Sequence, residues 1–274
     1  MPFALSLGFF AILLGSPNVE PLPGVTTGGV PSENIQALSA LLGQGVCPCD
    51  QKRTILMCVQ QKDCPAATEL AQFGVERFRE GLSVSQVGEE VIKRYIEQHV
   101  RYTFTIDGSP SKGAANAAVK IVEFADFECP HCSLMRTVLG EVAKKYPKDV
   151  AVIFKQFPLP HHRYAADASR AALAAHRQGK FWEMHDLIFD NQGKLAADSF
   201  GKFAAQLGLD KTRFATDMKS EQIQSEIERD KREAIEAQIQ GTPALYINGR
   251  MFTDEMTPEK IGAFVERLLK ETAK

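Results

Sequence analysis

Two cysteines three positions apart carry the chemistry that this sequence suggests most directly. Cys129 and Cys132 enclose a proline and a histidine in the stretch FECPHC. The preceding run VKIVEFADF has the length and β-branched composition of a buried strand, and the residues that follow have a helical period. This pattern places the sulfur of Cys129 at the N-terminus of a helix that begins at Pro130, where free backbone amides favour a thiolate over a thiol.

The residues around the pair indicate how it would react. His131 can add a hydrogen-bond donor or a positive charge beside the sulfur of Cys129. Any group that stabilises the thiolate stabilises the reduced protein, so the disulfide becomes a stronger oxidant of other thiols. Cys132 lies one helical turn deeper and is the expected resolving partner.

Three other interpretations of the pair are weaker. A structural disulfide between residues this close would close too small a loop to stabilise the chain much. Half of a metal site would need a second ligand cluster, and no cysteine follows Cys132. A chance C-x-x-C is the third alternative. The strand before the motif and the helix after it favour redox catalysis.

The elements that must position this pair extend over residues 118–274. A second β-rich run, DVAVIFKQF, follows the helix, so strand, helix and strand predict a parallel crossover. Residues 162–240 are almost continuously helical in composition and predict an insertion of about four helices. PALYI, the dipeptide Asn248-Gly249 and RMF predict a hairpin, and a helix capped by Thr257 closes the chain.

The chain upstream divides into four segments. Residues 1–18 contain an apolar block that suits the core of a secretory signal, although no Lys or Arg precedes it; an ordinary buried apolar segment is the alternative. Residues 19–34 are rich in proline and glycine and predict a linker. Residues 35–104 predict a small helical module, in which Ser83 or Ser85 could cap a helix, and residues 105–117 predict a second linker.

Four further cysteines lie at the front of that module, namely Cys47, Cys49, Cys58 and Cys64. In an exported chain the even number favours two disulfides that staple the module. The C-x-C start is not one of the common zinc spacings, but metal binding is an alternative. A redox relay with the Cys129 and Cys132 pair is a third possibility.

The sequence also resembles a known family. KGAANAAVKIVEFADFECPHC, the long helical insertion, GTPALYING and the final helix are together similar to the DsbA-like thiol:disulfide oxidoreductases of the thioredoxin superfamily. The likeness spans about Lys112 to Glu271, and the Pro-His dipeptide is typical of oxidising members. It implies an α/β thioredoxin fold with an inserted helical subdomain, here preceded by a small cysteine-containing α-helical module.

The resemblance also implies roles for residues outside the motif. Thr242-Pro243 matches the family's cis-proline, so Pro243 is expected in cis and the backbone of Thr242 is expected to pair with a bound substrate strand. Glu123 matches an acidic residue beneath the disulfide that assists proton movement from the resolving thiol; a solvated strand end is the alternative position. Asp126 is expected to be a loop or capping residue, and the adjacent His161 and His162 make a poor metal site.

These observations predict an exported, bacterial-type enzyme that donates its Cys129–Cys132 disulfide to folding secreted proteins in the periplasm. No cofactor is expected, and the family implies a membrane quinone-linked reoxidant. An isomerase or reductase of the same fold is one alternative, and a thiol-rich metal-binding protein is another. The balance of 32 basic against 34 acidic residues gives no indication of nucleic-acid binding.

Overall fold

The computed structural model describes residues 22–272, and the predicted signal-like segment 1–18 lies outside them. The chain divides into two compact units between Val100 and Arg101. The division therefore precedes the predicted linker 105–117, whose residues belong to the second unit. Each unit has its own buried core.

The first unit contains four helices and one short hairpin within the described residues. The helices are α1 (Ser32–Leu42), α2 (Ile55–Gln61), α3 (Pro65–Arg79) and α4 (Val84–His99), and the hairpin consists of β1 (Val46–Cys47) and β2 (Asp50–Thr54). The hairpin is not part of the predicted helical module. Strand β1 has only two residues, and β2, DQKRT, contains no apolar residue that could show an alternation. The predicted linker 19–34 is also revised, since Leu22 is buried in this unit's core and α1 begins at Ser32.

Close helix packing holds this unit together. Gly74 of α3 faces α1 so closely that an added Cβ atom would lie 2.7 Å from Leu38. Ser83 caps α4 through a capping box, in which its hydroxyl accepts a hydrogen bond from the backbone N–H of Gln86 and the Gln86 side chain accepts one from the backbone of Ser83. The predicted cap at Ser83 is thereby confirmed.

A five-stranded sheet forms the centre of the second unit. Its strands are β3 (Ser111–Gly113), β4 (Val119–Ala125), β5 (Val150–Gln156), β6 (Ala244–Ile247) and β7 (Arg250–Met251), in the spatial order β3-β5-β4-β6-β7. Strands β4 and β5 are parallel and joined through α5 (Pro130–Lys145), as predicted, whereas the other neighbours are antiparallel. Strand β3 lies within the predicted linker 105–117; its three exposed residues give no hydrophobic signal.

The two faces of the sheet bury different side chains. Val119 and Ile121 of β4 pack against α5 and against the last helix, α11 (Pro258–Thr272). Val122 and Phe124 point to the opposite face. Because side chains alternate along a strand, Glu123 lies on the α5 face, the face that carries the cysteine pair.

The hairpin β6–β7 turns at Asn248 and Gly249, which have φ angles of 47° and 74°. This is the two-residue turn that the Asn-Gly dipeptide predicts. A side chain at Gly249 could not be accommodated, since a Cβ atom there would lie 2.5 Å from the carbonyl oxygen of Tyr102. Thr257 caps α11 by accepting a hydrogen bond from the backbone N–H of Lys260.

The insertion between β5 and β6 contains five α-helices between residues 165 and 236. They are α6 (Ala165–His176), α7 (Phe181–Asp190), α8 (Ser199–Gln206), α9 (Lys211–Asp217) and α10 (Glu221–Glu236), and a 3-10 turn, Gln192–Lys194, lies between α7 and α8. Helix α10 is heavily charged, but two of its acidic residues take part in buried ion pairs. Its Asp230 and Glu233 flank the fully buried ammonium of Lys155, at 2.6 and 2.7 Å.

Candidate active site

The loop after β4 places Cys129 at the start of α5. Cys129 is the N-cap residue of the helix, and Pro130 occupies the first helical turn, where its missing N–H leaves no hydrogen bond unmade. The carbonyl oxygen of Cys129 accepts hydrogen bonds from the backbone N–H groups of Cys132 and Ser133, at 3.1 and 3.2 Å. The positive end of the 16-residue helix α5 is therefore directed at this cysteine, as the sequence predicts.

Both cysteines are free thiols, and their surroundings differ. Cys129 retains 6% exposure and its Sγ donates to the carbonyl oxygen of Thr242 at 3.2 Å, whereas Cys132 is fully buried. The Sγ of Cys132 accepts from the backbone N–H of Asp126 at 3.5 Å. Burial, and next the negative charge of Glu123, raise the pKa of the Cys132 thiol.

Thr242 belongs to the loop that faces Cys129. The Thr242–Pro243 peptide bond is cis, as the resemblance implies. Both residues are only partly buried. The main chain of this loop therefore lies beside the sulfur of Cys129 at the edge of solvent, ahead of β6.

Glu123 is a buried acid on the central strand. It is 3% exposed, it pairs in register with Phe154 and Leu245, and its Oε1 has no hydrogen-bond partner among residues 22–272. Burial raises the pKa of Glu123 to about 8, so most of this carboxyl group is protonated at neutral pH. A solvated strand end, the alternative position considered for this residue, does not fit this burial.

The outer surface of the site is exposed and partly apolar. Pro130 and His131 are exposed, and Leu134, one turn further along α5, is 66% exposed. The imidazole of His131 therefore lies on the solvent side of the motif, while the thiol of Cys132 lies on the protein side.

Gln192 contacts the cysteine loop from the helical insertion. Its Nε2 donates to the carbonyl oxygens of Phe127, at 2.8 Å, and of Cys129, at 2.9 Å. The residue lies in the 3-10 turn after α7, 63 positions along the chain from Cys129. Sequence reasoning did not identify it, because a glutamine in the stretch NQGK carries no signal of a distant partner.

Asp126 fixes the base of the same loop. Its carboxylate is fully buried and accepts hydrogen bonds from the backbone N–H groups of Glu128 and Leu159, at 2.7 and 2.6 Å. The Nδ1 of His162 lies 2.9 Å from the same carboxylate. Asp126 is thus a loop residue, as expected, and His162 is its partner.

The four upstream cysteines form two disulfides in the first unit. Cys47 is bonded to Cys58, and Cys49 is bonded to Cys64. This is the first of the three alternatives that the sequence leaves open, and the sequence alone does not give the pairing. A sulfur engaged in a disulfide is not a thiolate and is not available as a metal ligand.

A family model described as Thioredoxin matches residues 105–267, and so includes the strand, the cysteine pair and the helical insertion. The chain belongs to this thioredoxin family. The match begins within the second unit and leaves the disulfide-bonded first unit outside it.

Solved structures support the same fold for the family domain. BdbD from Bacillus subtilis, in its oxidised form, matches with a TM-score of 0.57 and 23% identity over 62% of this chain and 98% of that chain. The thiol-disulfide exchange protein α-DsbA2 from Wolbachia pipientis matches with a TM-score of 0.55 and 21% identity over 65% and 93%. At these identities the likeness establishes the fold. The predicted DsbA-like thioredoxin fold with inserted helices is confirmed.

Curated relatives match part of the chain. Na(+)/H(+) antiporter NhaA 3 of Salinispora tropica is 35% identical over 155 residues, and NhaA of Herminiimonas arsenicoxydans is 30% identical over 155 residues. The chain spans about a quarter of the length of these relatives, 24% and 25%. Within residues 22–272, no helix has the length and apolar character needed to cross a membrane.

Proposed function

We propose that this protein is a thiol:disulfide oxidoreductase that donates its Cys129–Cys132 disulfide to reduced proteins outside the cytoplasm. The observation that carries the proposal is the asymmetry of the pair. Cys129 lies at a helix N-terminus beside the partly exposed loop at Thr242, while Cys132 is fully buried. The sulfur of Cys129 can therefore contact a substrate, and the sulfur of Cys132 can re-form the disulfide with Cys129 from the buried side.

The proposed reaction has two exchange steps. A substrate thiolate attacks the Sγ of Cys129, which forms a mixed disulfide and breaks the Cys129–Cys132 bond, and Cys132 leaves with the electron pair. The second substrate thiolate then attacks the substrate sulfur of the mixed disulfide, and Cys129 leaves as a thiolate. Two electrons pass to the protein, the substrate gains one disulfide, and the helix N-terminus stabilises the final thiolate.

Glu123 would donate the proton that the departing Cys132 sulfur takes up in the first step. Burial raises the pKa of Cys132, so the departing sulfur needs a proton rather than a negative charge. The pKa of Glu123, about 8, keeps this neighbouring carboxyl protonated at neutral pH, so that it can donate to the departing sulfur and can accept the proton when the disulfide re-forms. His131 would favour the thiolate of Cys129 from the solvent side.

The substrate strand would bind along the loop of Thr242 and Pro243, where backbone groups lie next to the reactive sulfur. This mode of recognition reads the main chain and suits proteins of varied sequence. The exposed side chain of Leu134 offers apolar contact beside it. Unfolded, reduced proteins are the substrate class that meets both features.

Two disulfides in the first unit support a site of action in an oxidising compartment, such as the bacterial periplasm. An enzyme that gives up its disulfide must be reoxidised after each turnover. A membrane quinone-linked oxidase is the reoxidant that we propose. No organic cofactor is required for thiol exchange itself.

The proposal is tested with the oxidised full-length protein and a reduced synthetic peptide that contains two cysteines. We expect the peptide to become oxidised as the Cys129–Cys132 disulfide is lost. Cys132→Ser, first loaded with glutathione as a mixed disulfide on Cys129, should exchange the glutathione for a single-cysteine version of the peptide and retain it as an adduct on Cys129. Cys129→Ser is the matched control, in which the yield of oxidised peptide should fall by the one equivalent per protein that the Cys129–Cys132 disulfide supplies. Equal peptide oxidation by Cys129→Ser would overturn the proposal, and rearrangement of a scrambled disulfide peptide without net oxidation would assign an isomerase instead.

A further inference from the structure

The first unit contains a cluster of sulfur atoms that the proposed function does not use. The Sγ atoms of Cys47, Cys49 and Cys64 all lie within 4.8 Å of one another, although they belong to two different disulfides. Cys49 is exposed, whereas Cys47, Cys58 and Cys64 are at most 1% exposed. The cluster therefore has one sulfur that an external thiol can reach and a buried disulfide directly behind it.

Cys64 has the local structure of the catalytic Cys129. It is the N-cap residue of α3, a helix of 15 residues, and Pro65 follows it in the first turn. Its carbonyl oxygen accepts hydrogen bonds from the backbone N–H groups of Ala67 and Thr68, at 3.1 and 3.2 Å, as that of Cys129 does in α5. A thiolate released from Cys64 would thus lie at the positive end of a helix, which makes it a good leaving group.

Ion pairs hold the two sides of the exposed disulfide in place independently of the bond. Arg53 contacts Asp50, which follows Cys49, at 2.9 Å, and Asp63, which precedes Cys64, at 2.5 Å. The guanidinium group also offsets the negative charge of Asp63 beside Cys64. Opening the disulfide therefore leaves both cysteines close together, an arrangement that suits a bond that opens and closes.

We infer that Cys49–Cys64 is a second redox-active disulfide, which accepts thiols at Cys49 and passes the opened bond on to Cys47–Cys58. An external thiolate attacks the Sγ of Cys49, forms a mixed disulfide there and breaks the bond to Cys64, which leaves as a thiolate. The Cys64 thiolate attacks the Sγ of Cys47, forms Cys47–Cys64 and breaks Cys47–Cys58, so that Cys58 leaves and takes up a proton. Cys47 is the sulfur attacked because Cys58 lies outside the cluster.

A dithiol substrate would complete the exchange. The second thiolate of the substrate attacks the substrate sulfur that is bonded to Cys49. This forms the substrate disulfide and releases Cys49, which takes up a proton. After the exchange, the first unit has accepted two electrons and contains one disulfide, Cys47–Cys64, and two thiols, Cys49 and Cys58. This function is separate from the proposed action of Cys129 and Cys132, and it gives the first unit an activity beyond a structural staple.

The test uses the full chain with Cys129→Ser and Cys132→Ser, so that its result does not depend on the proposed function. The oxidised protein is treated with reduced glutathione, quenched with iodoacetamide and mapped by peptide mass spectrometry. We expect glutathione on Cys49, a new Cys47–Cys64 disulfide and an alkylated Cys58. The Cys49–Cys64 bond should react at least about tenfold faster than the Cys47–Cys58 bond does when attacked directly by glutathione.

Two controls separate the relay from simple reduction. In a variant that also carries Cys47→Ala and Cys58→Ala, glutathione should still add to Cys49, and Cys64 should be alkylated instead of bonded. In concentrated guanidinium chloride, glutathione should no longer react preferentially with Cys49 of the parent chain, because the arrangement of the sulfurs is lost on unfolding. This second control does not need the variant to fold. Two intact native disulfides after treatment, or glutathione on Cys49 with an alkylated Cys64 in the parent, would overturn the relay.

Discussion

Replacement of Glu123 by glutamine should change how the stability of the second unit depends on pH. In the unfolded chain, Glu123 releases its proton near its ordinary pKa of 4.5, but burial raises the pKa in the folded unit to about 8. Between these values the folded state holds a proton that the unfolded state has released. The free energy of unfolding therefore falls as pH rises through this window, and it levels off above it.

The size of the effect follows from the shift. Each pKa unit corresponds to about 1.4 kcal/mol, so a rise from 4.5 to about 8 amounts to a loss on the order of 5 kcal/mol across the window. A glutamine amide does not titrate, so Glu123→Gln should remove this slope. The difference in stability between variant and parent should grow in favour of the variant from pH 4 to pH 8.5, and this comparison cancels any fixed cost of the buried amide.

Fluorescence of Trp182, the single tryptophan of the chain, reports unfolding of the second unit alone. Guanidinium titrations would be compared from pH 4 to pH 8.5 for the parent and the Glu123→Gln variant, both on a background with Cys129→Ser and Cys132→Ser. That background prevents thiol exchange and leaves the disulfides of the first unit intact. Parallel pH profiles for the two proteins would refute the burial of a protonated Glu123.

Two further substitutions test the surroundings of the site. Gln192→Ala removes two hydrogen bonds, so it should lower the free energy of unfolding by about 1 to 3 kcal/mol and slow peptide oxidation several-fold. The control Gln178→Ala removes two hydrogen bonds to the backbone of Asp210, so it should lower the free energy of unfolding by a similar amount and leave the oxidation rate unchanged. Equal oxidation rates for the two variants would exclude a positioning role for Gln192. Lys155→Met should destabilise the second unit by up to about 3 kcal/mol, because the buried Asp230 would keep only the partly exposed Arg229 as a cation, and a loss below about 1 kcal/mol in urea titrations would contradict the buried ion pair.

The sequence predicts the centre of the fold because its signals there are local. The β-rich run that became β4, the helical period after Pro130 and the Asn-Gly turn each specify their structure within a few residues. The same holds for the cap at Ser83. Cys129 at a helix N-terminus is a direct consequence of the strand and helix that flank it.

Features that depend on distant pairing could not be predicted in this way. Strand β3 is exposed and three residues long, and it exists because β5 offers it an edge. Gln192 and Asp230 carry no local signal of their partners, which lie far away along the chain. The position of Glu123 on a strand could be predicted, but the sequence left its burial open against a solvated strand end, because burial and the raised pKa both depend on the distant elements packed around it.

The most direct test of the central claim is the equilibrium of the Cys129–Cys132 pair with glutathione, read by alkylation and mass spectrometry of the peptide that contains both residues. If the start of α5 stabilises the thiolate of Cys129, the equilibrium lies towards the reduced pair, and His131→Ala shifts it towards the disulfide. A pair that stays oxidised in strongly reducing glutathione buffer would contradict the assignment as a disulfide donor.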